Sequence, residues 1–102
     1  MADFEYNFEW DVRKAVANIH KHGVSFENAA TVFRDSAAMS LFDQKHSTDE
    51  ERWITLGLDN RRQLLVICHT WRETETGAAS CRIISARKAG RKEAAQYRNR
   101  KL

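Results

Sequence analysis

Apolar and polar positions alternate with two different periods along this chain, and the changes between those periods mark its elements. Residues 4 to 10, Phe-Glu-Tyr-Asn-Phe-Glu-Trp, alternate one by one and predict a short half-buried strand. At Asp11 the period lengthens. Val12, Ala15, Val16 and Ile19 recur at helical spacing, Asp11 can cap the free amides of a first turn, and Gly23 can end the helix, so residues 11 to 22 are helical. Ser25 is the next cap, and Phe26, Ala29, Ala30 and Phe33 share one face of a second helix over about 26 to 34. Met39, Leu41 and Phe42 predict the first strand of the main sheet, and the polar stretch 43 to 50, which holds His46, is a loop.

Stronger strand signals follow. In residues 52 to 58, Ile54, Leu56 and Leu58 alternate with Trp53, Thr55 and Gly57; residues 63 to 71 form the next run, and the short polar link 59 to 62 joins the two as an antiparallel hairpin. A third strand, 79 to 86, follows a polar turn around residues 73 to 77. A turn symmetric about 74 and 75 makes Cys68 and Cys81 cross-strand neighbours. Residues 90 to 102 are rich in helix formers, with Ala94, Ala95 and Tyr97 as a modest apolar face. The expected fold class is therefore α+β: two N-terminal helices and a basic C-terminal helix on an antiparallel sheet of three to four strands.

Length and composition fit one domain spanning residues 1–102, since 102 residues with 42% hydrophobic content can bury a core without cross-links. The longest apolar run, Leu64 to Cys68, is far short of a membrane span, and Asp3, Glu5 and Glu9 occupy the start where an export signal is basic. No membrane association is expected, and two cysteines without metal-ligand spacing point to a reducing, cytoplasmic setting with no cofactor. The net charge of +3 conceals a division. Residues 87 to 102 carry seven Lys/Arg against Glu93 alone, a local +6, while residues 1 to 86 carry −3. Such a basic end is either a solvated helix or a surface that attracts phosphates or an acidic partner.

Candidate chemistry rests on a few side chains. Alternation in the last strand sets Arg82 and Ile84 on one face and Ile83, Ser85 and Arg87 on the other. Arg82 is either the solvent-facing half of that alternation or a phosphate contact, for which the planar guanidinium is suited. Arg52 either pairs with Glu50 or Glu51 or serves the same purpose. His69, on the face of Leu65 and Ile67, is either a hydrogen-bonded structural residue or a proton carrier; Lys21 and His22 either complement a helix dipole or bring a cation and an imidazole to one edge.

These residues also carry a resemblance. Phe8-Glu9-Trp10-Asp11, Lys14, Asn18, Lys21-His22-Gly23-Val24-Ser25-Phe26-Glu27, Ala29, Val32, Phe33 and Asp35 begin it. Asp43, His46, Glu51-Arg52, Ile54, Gly57, His69-Thr70 and the run Arg82-Ile83-Ile84-Ser85-Ala86-Arg87-Lys88-Ala89 continue it, so that it covers about residues 8 to 97. The chain resembles the BrnT-type toxins of bacterial type II toxin–antitoxin systems. That resemblance implies a RelE-like fold and a ribonuclease needing no metal, in which the 2′-hydroxyl attacks the adjacent phosphate to leave a cyclic phosphate and a 5′-hydroxyl. It implies a BrnA-type antitoxin as partner, RNA as substrate, and operator DNA only indirectly, through the antitoxin. The roles it suggests are proton handling by His22 or His69, phosphate binding by Arg52 and Arg82, and RNA positioning by Lys21, Ser85, Arg87, Lys88 and Arg91. A second class of function is a non-catalytic or decayed module that binds the antitoxin and co-represses the operon. The turn between residues 72 and 79 is longer than the tight hairpin such a family suggests, and Cys81 is an unusual residue within the last strand.

Overall fold

A computed structural model of the chain describes residues 6–100. Strand β1 (Tyr6–Glu9) leads into α1 (Val12–His22), α2 (Phe26–Ala30) and a 3-10 turn (Thr31–Arg34). Then come β2 (Met39–Phe42), a second 3-10 turn (Gln44–His46), β3 (Arg52–Leu58), β4 (Leu64–Thr70), β5 (Arg72–Glu73), β6 (Ala79–Lys88) and α3 (Arg91–Asn99). The caps read from sequence are in place. Asp11 accepts from the amides of Arg13 and Lys14 at 2.8 and 3.2 Å, Ser25 Oγ accepts from Asn28 N at 3.1 Å, and Gly23 closes α1 in the left-handed region at φ +70°. The second helix is shorter than 26 to 34, because its last four residues tighten into the first 3-10 turn. Parts of the first strand and of the tail fall at residues 4, 5, 101 and 102, outside the described residues.

The sheet is larger than the three to four strands expected, and it is mixed. Its order is β1-β6-β4-β3-β2, with β5 pairing the start of β6. β1 runs parallel to β6, Phe8 opposite Cys81 and Glu9 opposite Arg82, while the other pairings are antiparallel. A parallel partner so far away in sequence leaves no local signal, which is why alternation alone found β1 but not its place.

Two register features correct the sequence reading. Gly77, at φ +83°, sets the turn after β5 later than residues 74 and 75, so Arg72 faces Ser80 and Glu73 faces Ala79. Further along, Cys68 pairs with Ser85 but His69 with Ile83, which leaves Ile84 as the extra residue of a bulge. Cys68 and Cys81 are therefore not cross-strand neighbours: Cys81 sits opposite Phe8. The bulge also shifts the phase of β6. Ala79, Cys81, Ile83 and then Ala86 are buried, so Ser85 and Arg87 move to the face of Arg82 and away from that of Ile83.

One face of the sheet meets α1 and α2. Phe26, Ala29 and Val32 pack there on Val24, Leu65, Ile67, Ile83 and Ala86, with Phe8, Trp10 and Phe33 at the margin. Burial of this apolar surface is the main stabilising term. Of the apolar positions expected on the buried face of α1, Ala15 packs against this core, but Val12, Val16 and Ile19 face solvent at 72, 51 and 50% exposure, and the buried residue of the helix is Asn18. Gly57 in β3 marks the closest approach to the 3-10 turn: a Cβ there would stand 2.8 Å from Val32 Cγ1 and 3.0 Å from Ala38 Cβ. Gly57→Ala is expected to lower unfolding free energy by about 1–3 kcal/mol, measured as a urea midpoint shift at unchanged slope.

Candidate functional site

Adjacent strands place the two arginines picked out by sequence on the sheet face opposite α2. Arg52 opens β3 opposite Thr70 of β4, and Thr70 Oγ1 accepts from the Arg82 amide of β6 at 3.1 Å, so three neighbouring strands bring these groups together. Glu50, in the loop before β3, joins them. Its Oε1 is hydrogen-bonded to Arg82 Nη2 and lies 3.7 Å from Arg52 Nη2. The salt bridge foreseen for Arg52 thus exists, and the same carboxylate holds Arg82 as well. All three side chains keep 36 to 40% exposure, so the cluster is open to a ligand. Arg82 also lines a shallow cavity of about 290 Å³ with Glu9, Glu51, Thr70, Trp71 and Arg72.

His69 belongs elsewhere. It pairs with Trp53 and Ile83 on the helix-covered face, 2% exposed, with its ring edge-on to Phe33 at 4.8 Å between centroids. Nδ1 lies 2.9 Å from the Thr70 carbonyl oxygen and 3.5 Å from Cys81 Sγ; Nε2 lies 2.6 Å from Thr55 Oγ1, which in turn lies 2.8 Å from Ser40 Oγ. A carbonyl only accepts, so Nδ1 carries the proton, Nε2 accepts from Thr55, and Thr55 accepts from Ser40. Burial depresses the His69 pKa below its ordinary 6.5, and the Thr70 contact only partly offsets this. Burial likewise pushes the neighbouring Cys81 thiol up to about 12, so it stays protonated.

The sign of the His69 effect can be tested. A base whose folded pKa lies below its unfolded value contributes stability above pH 6.5 that is lost as the unfolded chain gains the extra proton on acidification. Unfolding free energy is expected to fall by up to about 1.4 kcal/mol per pH unit below 6.5, until the folded pKa is reached. Urea titrations from pH 7 to 5 should show this slope in the wild type and lose it in His69→Gln.

The remaining residues do not join the arginine pair. Lys21 and His22 end α1, whose Asn18 is bonded to Ala86, placing them beside the far end of β6. Ser85 is half-buried, and Lys88 and Arg91 are exposed where β6 passes into α3. Arg87 is engaged there in a two-point ion pair with Glu93, Nη1 to Oε1 at 2.8 Å and Nη2 to Oε2 at 2.6 Å. The Arg87 hydrogen bond is the chief cause that holds the Glu93 carboxyl down at about 2. Five strand residues separate this junction from Arg82, roughly 15 Å. Among the described residues, no group of three or more His, Cys, Asp or Glu side chains is gathered as a metal-binding cluster, and no helix is long and apolar enough to cross a membrane.

Sequence reasoning missed two things. One is Glu50 as the link between the arginines, signalled only by the acidic pair beside Arg52. The other is an open cavity of about 310 Å³ on the helix-covered side, walled by Tyr6, Phe33, Trp53 and Trp71 and bordered by Ser40, Thr55 and His69. Asp35 stands at its rim. Burial opposes its charge, yet hydrogen bonds from Leu58 N, Tyr97 Oη and Ala37 N hold the carboxyl below the usual carboxylate range. In β3, buried Arg52 Nε and Trp53 Nε1 have no hydrogen-bond partner among the described residues.

Helices on a mixed sheet, with a pair of arginines held open on the two strands that flank β4, define a small α+β protein whose exposed chemistry is suited to anions. Comparison narrows this class. The family model for BrnT, the ribonuclease toxin of a type II toxin–antitoxin system, matches residues 10–93, and the chain belongs to that family. The fold is similar to the 1.1 Å crystal structure of the Brucella abortus ribonuclease toxin BrnT, with 22% identity and a TM-score of 0.57, over 85% of this chain and 99% of that one. No curated protein matches the chain.

Proposed function

We propose that this family member cuts RNA at the Arg52–Arg82 pair by internal transfer without a metal ion. The observation that supports this most directly is the convergence of two guanidinium groups on one carboxylate oxygen, since an arrangement that holds such an oxygen also suits one of a phosphate. Cleavage requires a base for the 2′-hydroxyl proton, cationic donors for the charge on the phosphorane-like transition state, and a proton for the departing 5′-oxygen. Arg52 and Arg82 supply the second, and solvent water supplies the third. Glu50 touches both and is the nearest group able to accept a proton. His69 lies on the opposite face and His22 ends α1 beside the far end of β6, so Glu50 takes precedence over both as the base. Lys21, Ser85, Lys88 and Arg91 then contribute to guiding the strand, and Arg87 does so through the β6–α3 junction.

The protein works in the cytoplasm against a BrnA-type antitoxin, and meets operator DNA only through it. The exposed stripe of Val12, Val16 and Ile19 on α1 supports such a partner, being apolar surface that a monomer in water leaves unsatisfied. The test is cleavage of end-labelled RNA by the purified protein in excess EDTA, on naked RNA and on translating ribosomes. Cyclic phosphate and 5′-hydroxyl ends are expected. Failure on both substrates, with antitoxin binding intact, would establish the non-catalytic module instead.

A further inference from the structure

We propose that the aromatic cavity beside His69 is a pocket for an unpaired nucleobase, and that Trp71 forms the wall it shares with the arginine site. The source of the base rests on the RNA reading above; the chemistry of the pocket does not. Its volume of about 310 Å³ is at the lower end of the range for small-ligand sites, which suits a single flat ring system. Tyr6, Phe33, Trp53 and Trp71 supply the walls, with Tyr6 edge-on to Trp71 at 5.5 Å between centroids and Phe42 edge-on behind Trp53 at 5.3 Å. Unpaired bases are bound by stacking on such rings.

Polarity at the border of the cavity is fixed by the chain of hydrogen bonds described above. The Thr70 carbonyl sets the His69 tautomer, which orients Thr55, which orients Ser40. Ser40 therefore spends its proton inward and keeps oxygen lone pairs for a ligand. Asp35, across the rim, is a second acceptor. The pocket thus favours a flat ring with N–H groups on its edge, as nucleobases have. Its position carries the inference further, because Trp71 lines both this cavity and the one that contains Arg82. The two cavities open on opposite faces of the sheet, so a strand with its phosphate at Arg82 would pass around Trp71 to place a neighbouring base in the aromatic cavity.

The probes are the four nucleosides, their 5′-monophosphates, and tetranucleotides made uncleavable by 2′-deoxy substitution, followed by tryptophan emission. Wild type is expected to change emission with the tetranucleotides, and Ser40→Leu, which plugs the cavity from an exposed edge strand, to bind them about 10-fold or more weakly. Ser40→Ala removes only the acceptor and is expected to weaken binding in the same direction. Arg82→Ala should weaken tetranucleotides and monophosphates while leaving nucleosides unaffected, since they have no phosphate. If wild type cuts RNA but Ser40→Leu and Ser40→Ala bind every probe as wild type does, the pocket proposal is overturned and the RNA reading stands. If no RNA is cut, yet nucleosides or monophosphates bind and Ser40→Leu abolishes this, the pocket is upheld as a site for free nucleotides and the RNA reading falls.

Discussion

Arg82→Ala is expected to lower the rate of RNA cleavage by about 10²-fold or more while the protein still folds and unfolds as wild type does. The magnitude follows from the loss of a preorganised charged donor at the point where negative charge develops. The fold should tolerate it because the side chain keeps 40% exposure and the backbone amide still donates to Thr70 Oγ1. Removing a guanidinium also releases Glu50 from one of its two partners, so the companion variant is Glu50→Gln. If Glu50 is the base, Glu50→Gln loses cleavage while binding an uncleavable RNA at least as tightly, because the carboxylate no longer competes with phosphate for the arginines. Single-turnover rates and binding, measured separately, check both halves. An Arg82→Ala protein that cuts at the wild-type rate would remove the arginine pair from the mechanism.

The second large effect concerns stability. Asn18→Ala is expected to destabilise the fold by about 3 kcal/mol, read from urea unfolding. β1 ends opposite Arg82, so beyond that point no described strand lies beside the outer edge of β6. Asn18 takes the place of one: its Oδ1 accepts from Ala86 N at 3.1 Å, and its Nδ2 donates to Ala86 O at 2.8 Å and to Val24 O at 2.9 Å. With Asn18 and Ala86 6% exposed or less, truncation strands three buried backbone groups, each costing about 1–3 kcal/mol when left unpaired, less what local relaxation recovers. Asn18→Asp should also destabilise, since it keeps the acceptor but loses both donors.

Asn18 also shows what hydrophobic periodicity could and could not reveal. Capping is local chemistry, and Asp11, Gly23 and Ser25 announced their helices correctly. The face of α1 is not local. Its apolar stripe suggested burial, but one amide that completes β6 turns the helix the other way and leaves Val12, Val16 and Ile19 outside. The hairpin of β3 and β4 was legible because four polar residues join two alternating runs. The register of β6 was not, since it depends on a left-handed glycine at 77 and an unpaired Ile84. Of the site, Arg52 and Arg82 stood out as charges within apolar strands. Their joining through Glu50 needed three strands in register, and the separation of His69 from them needed knowledge of which face each strand turns inward.

The order of the strands has a consequence for how the molecule comes into being. β1 is translated before every other described strand, yet its partner β6 is translated after all of them, and β6 lies between β1 and β4. Such long-range pairing makes folding slow and cooperative, with little gained by the first half of the chain alone. Arg82 arrives on that last strand, and only its insertion brings it against Glu50 and Arg52. A nascent or truncated chain lacking β6 thus carries no assembled arginine pair, and whatever that pair does begins only once β6 has been made.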